Sequence, residues 1–331
     1  MDTSFHNQAD LLISVLPYIA MEPDMALHGG TAINFFVRNM PRLSIDADLT
    51  YLPVTPRKEA LTEISGSLIR ISTRIFSRFP RIQIEQKTDE AGFVTKLIIR
   101  YHNAVIKIEP NFIIRGTLFG PEERSICKKA EETFEKHVTI KTMSFSELYG
   151  SKICAALDRQ HPRDIFDIML LLENEGIDDN IKKAFLVYLL SHNRPIAELL
   201  APNMQDFRGV FEKEFAGMTD REVSYSKLTN VRQDLVDGIH SQLNDQDRNF
   251  LLSFKQGAPD WDLLGMPAAP DMPAVMWKLQ NIEQMNRKKN IEAVEKLKKC
   301  LNYKSSLLQN RLTLCLFRCL KTGILIVAYQ G

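Results

Sequence analysis

Three blocks of this chain carry chemistry-bearing side chains at spacings that could bring them together. The first is His28-Gly29-Gly30-Thr31-Ala32. A double glycine lets backbone N–H groups approach an anion, and the unpaired N–H groups of a helix starting there favour phosphate. Thr31 could add a hydroxyl donor. The second is Arg42-Leu43-Ser44-Ile45-Asp46-Ala47-Asp48-Leu49. On a strand, Asp46 and Asp48 point to one face. Two carboxylates beside a phosphate-binding turn suit Mg²⁺, which completes its octahedron with water and substrate phosphate oxygens. The third is Lys152, Arg159 and Arg163-Asp164-Ile165-Phe166-Asp167. Lys152 and Arg159 are seven apart on a predicted helix and share a face. A point charge and a planar fork together suit a triphosphate.

Each block has a plainer reading. Asp-x-Asp occurs three times, at 46/48, 245/247 and 260/262. The pair at 245/247 fits a helix N-terminus, where acids suit the dipole. The pair at 260/262 flanks Trp261 in a proline-rich loop. Only 46/48 follows a glycine turn and helix, and that order is the specific signal; the bland alternative is a solvated edge strand. Glu109, on the most strongly β-patterned run, is the candidate third carboxylate, with Lys107 on its face; the alternative is a surface Lys/Glu pair. Asp164 falls in the first turn of a helix opened by Pro162, so dipole stabilisation competes with catalysis. Asp167, three residues on, shares its face. His28 could line the site or pack.

The elements that must position these residues follow from hydrophobic periodicity. Helical spacing covers residues 8–21 and 57–77, and a strand–glycine turn–helix unit runs through Val37. Strands are expected at Ile45 to Leu52, Arg81–Gln86, Phe93–Tyr101, Ala104–Ile114 and Val138–Thr142, the third and fourth joined as a hairpin at His102-Asn103. From Ser144 helical patterns dominate (144–158, 163–174, 179–192, 206–216, 224–238, 244–255). A Gly/Pro-rich loop follows at 256–273, and then one long helix from Pro273 to Leu301. The fold class is therefore α+β: the first half reads as α+β and the second half as all-α, with a boundary near 143.

The 331 residues suggest two domains, and 44% apolar with 25% charged residues fit a globular protein. A net charge of +1, from 42 basic and 41 acidic residues, argues against a chain coated in positive charge. Locally, the region from Lys278 holds Arg287, Lys288, Lys289, Lys296, Lys298 and Lys299 against Glu283, Glu292 and Glu295. That is a candidate RNA-tracking patch or a solvated helix face. Cys127, Cys154, Cys300, Cys315 and Cys319 form no Cys-x-x-Cys pair, which points away from a disulfide framework or zinc site and toward a reducing cytoplasm. No signal peptide and no membrane span are expected. P-loop, dinucleotide-fingerprint and serine-hydrolase motifs do not occur.

With these residues in place, the chain resembles the AbiEii/AbiGii-type toxins. These are nucleotidyltransferases of the polymerase-β-like superfamily from type IV toxin–antitoxin (abortive infection) pairs. Gly29-Gly30-Thr31-Ala32, Arg42-x-Ser44-x-Asp46-x-Asp48-Leu49, Lys152-x-x-Ala155, Arg159, Arg163-Asp164-x-x-Asp167 and Trp277-Lys278-Leu279 carry the resemblance over about residues 5–300. It implies a nucleotidyltransferase domain with a mixed sheet at 1–143, a helical domain at 144–301 and an unassigned tail at 302–331. Asp46, Asp48 and Glu109 would be metal ligands and, with Asp164, catalytic. Gly29, Gly30, Thr31, Arg42, Ser44, Lys152, Arg159, Arg163 and Asp167 would bind nucleotide and phosphate. The implied cofactor is Mg²⁺, the donor an NTP, the acceptor tRNA and the partner a cognate antitoxin. Two other readings are a nucleotidyltransferase for a small molecule or protein, and a catalytically silent partner-binding protein.

Overall fold

The computed structural model describes residues 3–301, so the expected tail at 302–331, with Cys315 and Cys319, lies outside the described residues. β1 (Met25–His28), β2 (Asp46–Tyr51), β3 (Gln83–Thr88), β4 (Val94–Tyr101), β5 (Ala104–Asn111), β6 (Glu122–Ser125) and β7 (Thr139–Thr142) form a mixed sheet in the order β3-β4-β5-β2-β1-β7-β6. The β2–β5 and β1–β7 pairs are parallel and the others antiparallel.

The pleat explains which face does what. Ala47 and Leu49 of β2, Leu97 and Ile99 of β4, and Ile106 and Ile108 of β5 are all fully or almost fully buried. They share the face covered by α1 (Thr3–Ala20) and by α3 (Arg57–Arg78), the helix after the short α2 (Gly29–Ala32). α1 buries Leu12, Val15, Leu16 and Ile19, and α3 buries Ile64, Leu68, Ile71 and Ile75. This is the 3–4 spacing of an amphipathic helix. Truncating one such side chain to alanine costs about 2–5 kcal/mol. The intervening residues of β2, Asp46 and Asp48, are left on the other face.

α4 (Lys128–Phe134) leads into β7, and the helical half begins immediately after it. α5 (Phe145–Arg159) starts at Ser144, whose hydroxyl accepts from the Glu147 N–H at 3.3 Å. Glu147 in turn accepts from the Leu118 N–H and the Thr117 hydroxyl, both at 2.8 Å, tying the segment after β5 to α5. Gln160 adopts a left-handed conformation (φ 49°), which reverses the chain into α6 (Pro162–Asn174). α7 (Asp179–Ser191) packs along α5. α8 (Ile196–Leu200), α9 (Arg208–Glu214), α10 (Tyr225–Gln242), α11 (Asp245–Lys255), α12 (Trp261–Leu264), α13 (Pro273–Glu283) and α14 (Arg287–Leu301) complete the helical part. One hydrophobic core runs through both halves.

Several local expectations are corrected. The single helix expected from Pro273 to Leu301 is two, because Asn286 starts a new one: its side-chain oxygen accepts from the Lys288 N–H at 3.0 Å. The helix expected through Val37 widens into a π turn over Ile33–Val37, with the Arg38 N–H reaching the Ile33 carbonyl at 2.7 Å. The sheet gains β6, which periodicity does not reveal, since Glu122-Glu123-Arg124-Ser125 is an edge strand without apolar alternation. The short α4 is a further addition to the expected elements. The Gly/Pro-rich stretch holds α12 and a 3₁₀ turn at Ala269–Asp271.

Candidate active site

Strand pairing aligns four side chains across the exposed face of the sheet. His28 of β1 is opposite Asp48 of β2, and Asp48 is opposite Glu109 of β5. Glu109 in turn forms an ion pair of 2.5 Å with Lys96 of β4. Asp46 stands one pleat away, opposite Lys107. The structure thus brings Asp46, Asp48 and Glu109 onto one surface, with the Glu109 charge held by Lys96 and not by Lys107. The expected hairpin contained this signal. Its register pairs residues whose numbers sum as Tyr101 and Ala104 do, which puts Lys96 across from Glu109.

Asp48 is open to solvent at the floor of a cleft, yet protein surrounds it on most sides. Burial is the main cause that raises its pKa to about 6. The charges of Asp46 and Glu109 add to the rise, and Lys152 and Arg159 oppose it. Asp46 is raised too, first by burial and then by Glu109, against Lys107 and Arg163. A cation at this face would offset the mutual repulsion of Asp46, Asp48 and Glu109 that adds to these rises. Among the described residues, no group of three or more His, Cys, Asp or Glu converges as a metal-holding cluster. The donor set is the Asp46/Asp48 pair, which fits Mg²⁺ because that ion draws its remaining ligands from water and phosphate.

The double glycine exists for close approach. Gly29 has φ +66°, and a Cβ there would lie 2.2 Å from Oδ2 of Asp48. A Cβ on Gly30 would lie 2.7 Å from Nη2 of Arg42. The turn is therefore moulded around Asp48 and Arg42. Thr31, expected as a donor to substrate, is fully buried. Its hydroxyl bonds to the Asp46 carbonyl at 2.5 Å and the Ser44 hydroxyl at 2.8 Å, locking the turn to β2.

The third block forms a buried ion network. Lys152 Nζ lies 3.1 Å from Asp164 and 3.3 Å from Asp167. Arg159 grips Asp164 with two N–H groups, at 2.5 and 2.9 Å. Arg42 grips Asp167 likewise, at 2.8 and 2.7 Å, and Asn34 adds a bond of 3.1 Å. Burial by itself would raise both carboxyls. The surrounding cations outweigh it and hold Asp164 and Asp167 below the ordinary carboxylate range. Asp164 is saturated by Lys152 and Arg159, while the Arg159 side chain stays 59% exposed. Arg163 sits apart from this core, half-buried and 3.9 Å from Glu214.

His28, Gly29, Asp48, Glu109, Lys152 and Arg159 line one cavity of about 600 Å³. His28 packs and lines the site at once. The Ser151 hydroxyl donates to the Leu148 carbonyl at 3.0 Å, so His28 Nε2–H donates to Ser151 (2.7 Å) and Nδ1 accepts from Thr50 (3.0 Å). Burial, helped by Lys152, lowers its pKa to about 4, so the ring is neutral. Sequence reasoning missed Asp158, Tyr188 and His192, which also line the cavity. They come from α5 and the end of α7 and carry no motif; only packing shows them.

A mixed sheet presenting a carboxylate pair beside a glycine turn, with Lys152 and Arg159 of α5 lining the same cavity, is an arrangement suited to nucleotidyl transfer. The sequence matches the family model described as "Nucleotidyl transferase AbiEii toxin, Type IV TA system" over residues 10–281, and the chain belongs to that family. It is a nucleotidyltransferase toxin of a type IV toxin–antitoxin system. The fold is similar to that of MenT4, a nucleotidyltransferase toxin from Mycobacterium tuberculosis H37Rv, with a TM-score of 0.57 and 12% identity. The match covers 89% of this chain and 95% of that one. No curated protein matches the sequence.

Proposed function

We propose that this chain uses Mg²⁺ to move a nucleotide from an NTP to the end of an RNA, with tRNA as the acceptor. It would act in the cytoplasm and be restrained by a cognate antitoxin. The observation that carries the reading is the Asp46/Asp48 pair on one face of β2, with Asp48 lodged against the Gly29 backbone and both carboxyls raised in pKa. Asp46 and Asp48 would hold Mg²⁺, and Glu109, one strand over, would be the third carboxylate. When bound, the ion neutralises charge on the α-phosphate and lowers the pKa of the attacking hydroxyl. Arg159 and Lys152 supply the cationic wall toward which pyrophosphate leaves. Asp164 and Asp167 act by orienting those cations, which replaces the expectation that Asp164 meets substrate. Gly29 and Gly30 let the phosphates approach; Thr31, Ser44 and Arg42 shape the turn; Arg163 adds charge toward Asp46.

At the start of α14, Arg287, Lys288 and Lys289 are exposed, which supports an RNA acceptor. Lys296 and Lys298 contribute less, being paired with Glu198 and Glu295. No helix among the described residues is long and apolar enough to cross a membrane. The test is incubation with each α-labelled NTP, Mg²⁺ and total tRNA, followed by RNase. Label should enter an RNase-sensitive product, and Asp48→Asn should abolish it. Label retained in protein or a small molecule would sink the RNA reading, and transfer by Asp48→Asn at the parental rate would sink the mechanism.

A further inference from the structure

A second cavity, of about 720 Å³, adjoins the cleft just described: Phe112 and Ile113 line both. Its walls come from the segments after β2 and β5 and from α13. Arg57, Arg115 and Trp277 are its chemically distinctive residues. Trp277 is 51% exposed, with Met276 beside it at 48%. A large aromatic surface left in water is costly unless something covers it. Arg115 presents the opposite anomaly, since only 5% of it is exposed. Its Nη1 donates to the Thr55 carbonyl at 3.1 Å, but its Nε has no hydrogen-bond partner. Among the described residues, no carboxylate lies within ion-pairing distance of Arg57 or Arg115. Asp271 also lines the cavity, so two guanidiniums face one acid. Burial and the charge of Arg57 both press against the Arg115 charge.

A buried guanidinium without an ion-pair partner, another arginine and an unused indole in one cavity match the way single-stranded nucleic acid is held, through phosphates and base stacking. An acidic peptide would meet the arginines too. Adjacency to the cleft that takes the donor nucleotide, through the shared Phe112–Ile113 wall, favours the acceptor strand. We propose that this cavity is the acceptor subsite. Trp277 stacks on a base near the end of a single-stranded RNA, and Arg57 and Arg115 take adjoining phosphates. The assignment rests on the nucleotidyl-transfer reading above.

The experiment is equilibrium binding of a fluorescein-labelled single-stranded hexaribonucleotide to the full chain, by anisotropy, without NTP. Trp277→Ala should weaken binding by about tenfold or more, and Trp277→Phe should keep most of it. Arg57→Ala should weaken binding and reduce the salt slope by about one. Both sites are exposed, so neither change empties the core. NTP binding, followed by calorimetry with Mg²⁺, should be unchanged in all three variants. Parental RNA affinity in Trp277→Ala and Arg57→Ala would overturn the subsite and leave the transfer reading standing. So would a wild type that ignores the RNA but binds hexaglutamate through Trp277. Failure of the wild type to bind any NTP would instead strike the transfer reading.

Discussion

Asp167→Asn isolates what the buried network does. The substitution keeps the shape of the side chain and removes its charge. Asp167 faces Arg42 and Lys152, whose side chains are 3% and 5% exposed. Lys152 keeps Asp164 at 3.1 Å, but Arg42 loses its ion-pair partner: the amide oxygen can accept from one of its N–H groups, the amide NH₂ meets the other, and the guanidinium remains a buried, uncompensated cation. Breaking such a pair from one side costs about 3–5 kcal/mol. For a domain of this size that lowers Tm by roughly 10 °C. The deficit should persist over most of the acid range. The Asp167 carboxyl is held below its ordinary pKa, so its contribution is present above the unfolded-state pKa and is lost only as pH falls through the depressed folded value. Thermal denaturation at several pH values measures this. Adding Arg42→Met to Asp167→Asn should cost little more, since the orphaned charge leaves with it. Transfer assayed well below the lowered Tm should survive with a raised KM for NTP, because Lys152 loses one of its two carboxylate partners and is displaced, not removed. A Tm within about 2 °C of the parent, or a kcat as low as that of Asp48→Asn, would refute the network as a positioning device.

Asp48→Asn should act in the opposite sense on stability. The native pKa, about 6, lies above the ordinary value of 3.8, so the ionised group destabilises the metal-free fold. The variant's advantage should be absent at low pH, grow between those two values and level off above them. After allowance for solvent access it should reach ~1 kcal/mol in EDTA, and denaturation with and without Mg²⁺ reads it. Gly29→Ala forces a Cβ to within 2.2 Å of the Asp48 carboxylate at φ +66°, so calorimetric Mg²⁺ affinity and transfer should fall together. His28, lowered to about 4 by burial and Lys152, makes the wild type lose stability as pH falls from its ordinary 6.5 toward that value. His28→Gln should remove that loss in a pH series of melts.

The sequence by itself determined the local half of this protein. Alternation in β2 fixed Asp46 and Asp48 on one face and Ala47 and Leu49 on the other, because the strand period is two. The 3–4 spacing in α1 and α3 fixed their buried stripes, and the Gly29-Gly30 pair marked a place of close backbone approach. The hairpin around His102-Asn103 even encoded the Lys96–Glu109 pair. Tertiary structure decided the rest, because it depends on which elements become neighbours. Parallel pairing of β2 with β5 put Glu109 beside Asp48, although α3, β3 and β4 lie between them in the chain. The fold over α2, α5 and α6 set Asp164 between Lys152 and Arg159, and turned Thr31 inward. No periodicity reports such pairings: a charge's role is set by the charges that surround it in space, and Arg42 and Asp167 are 125 residues apart in the chain.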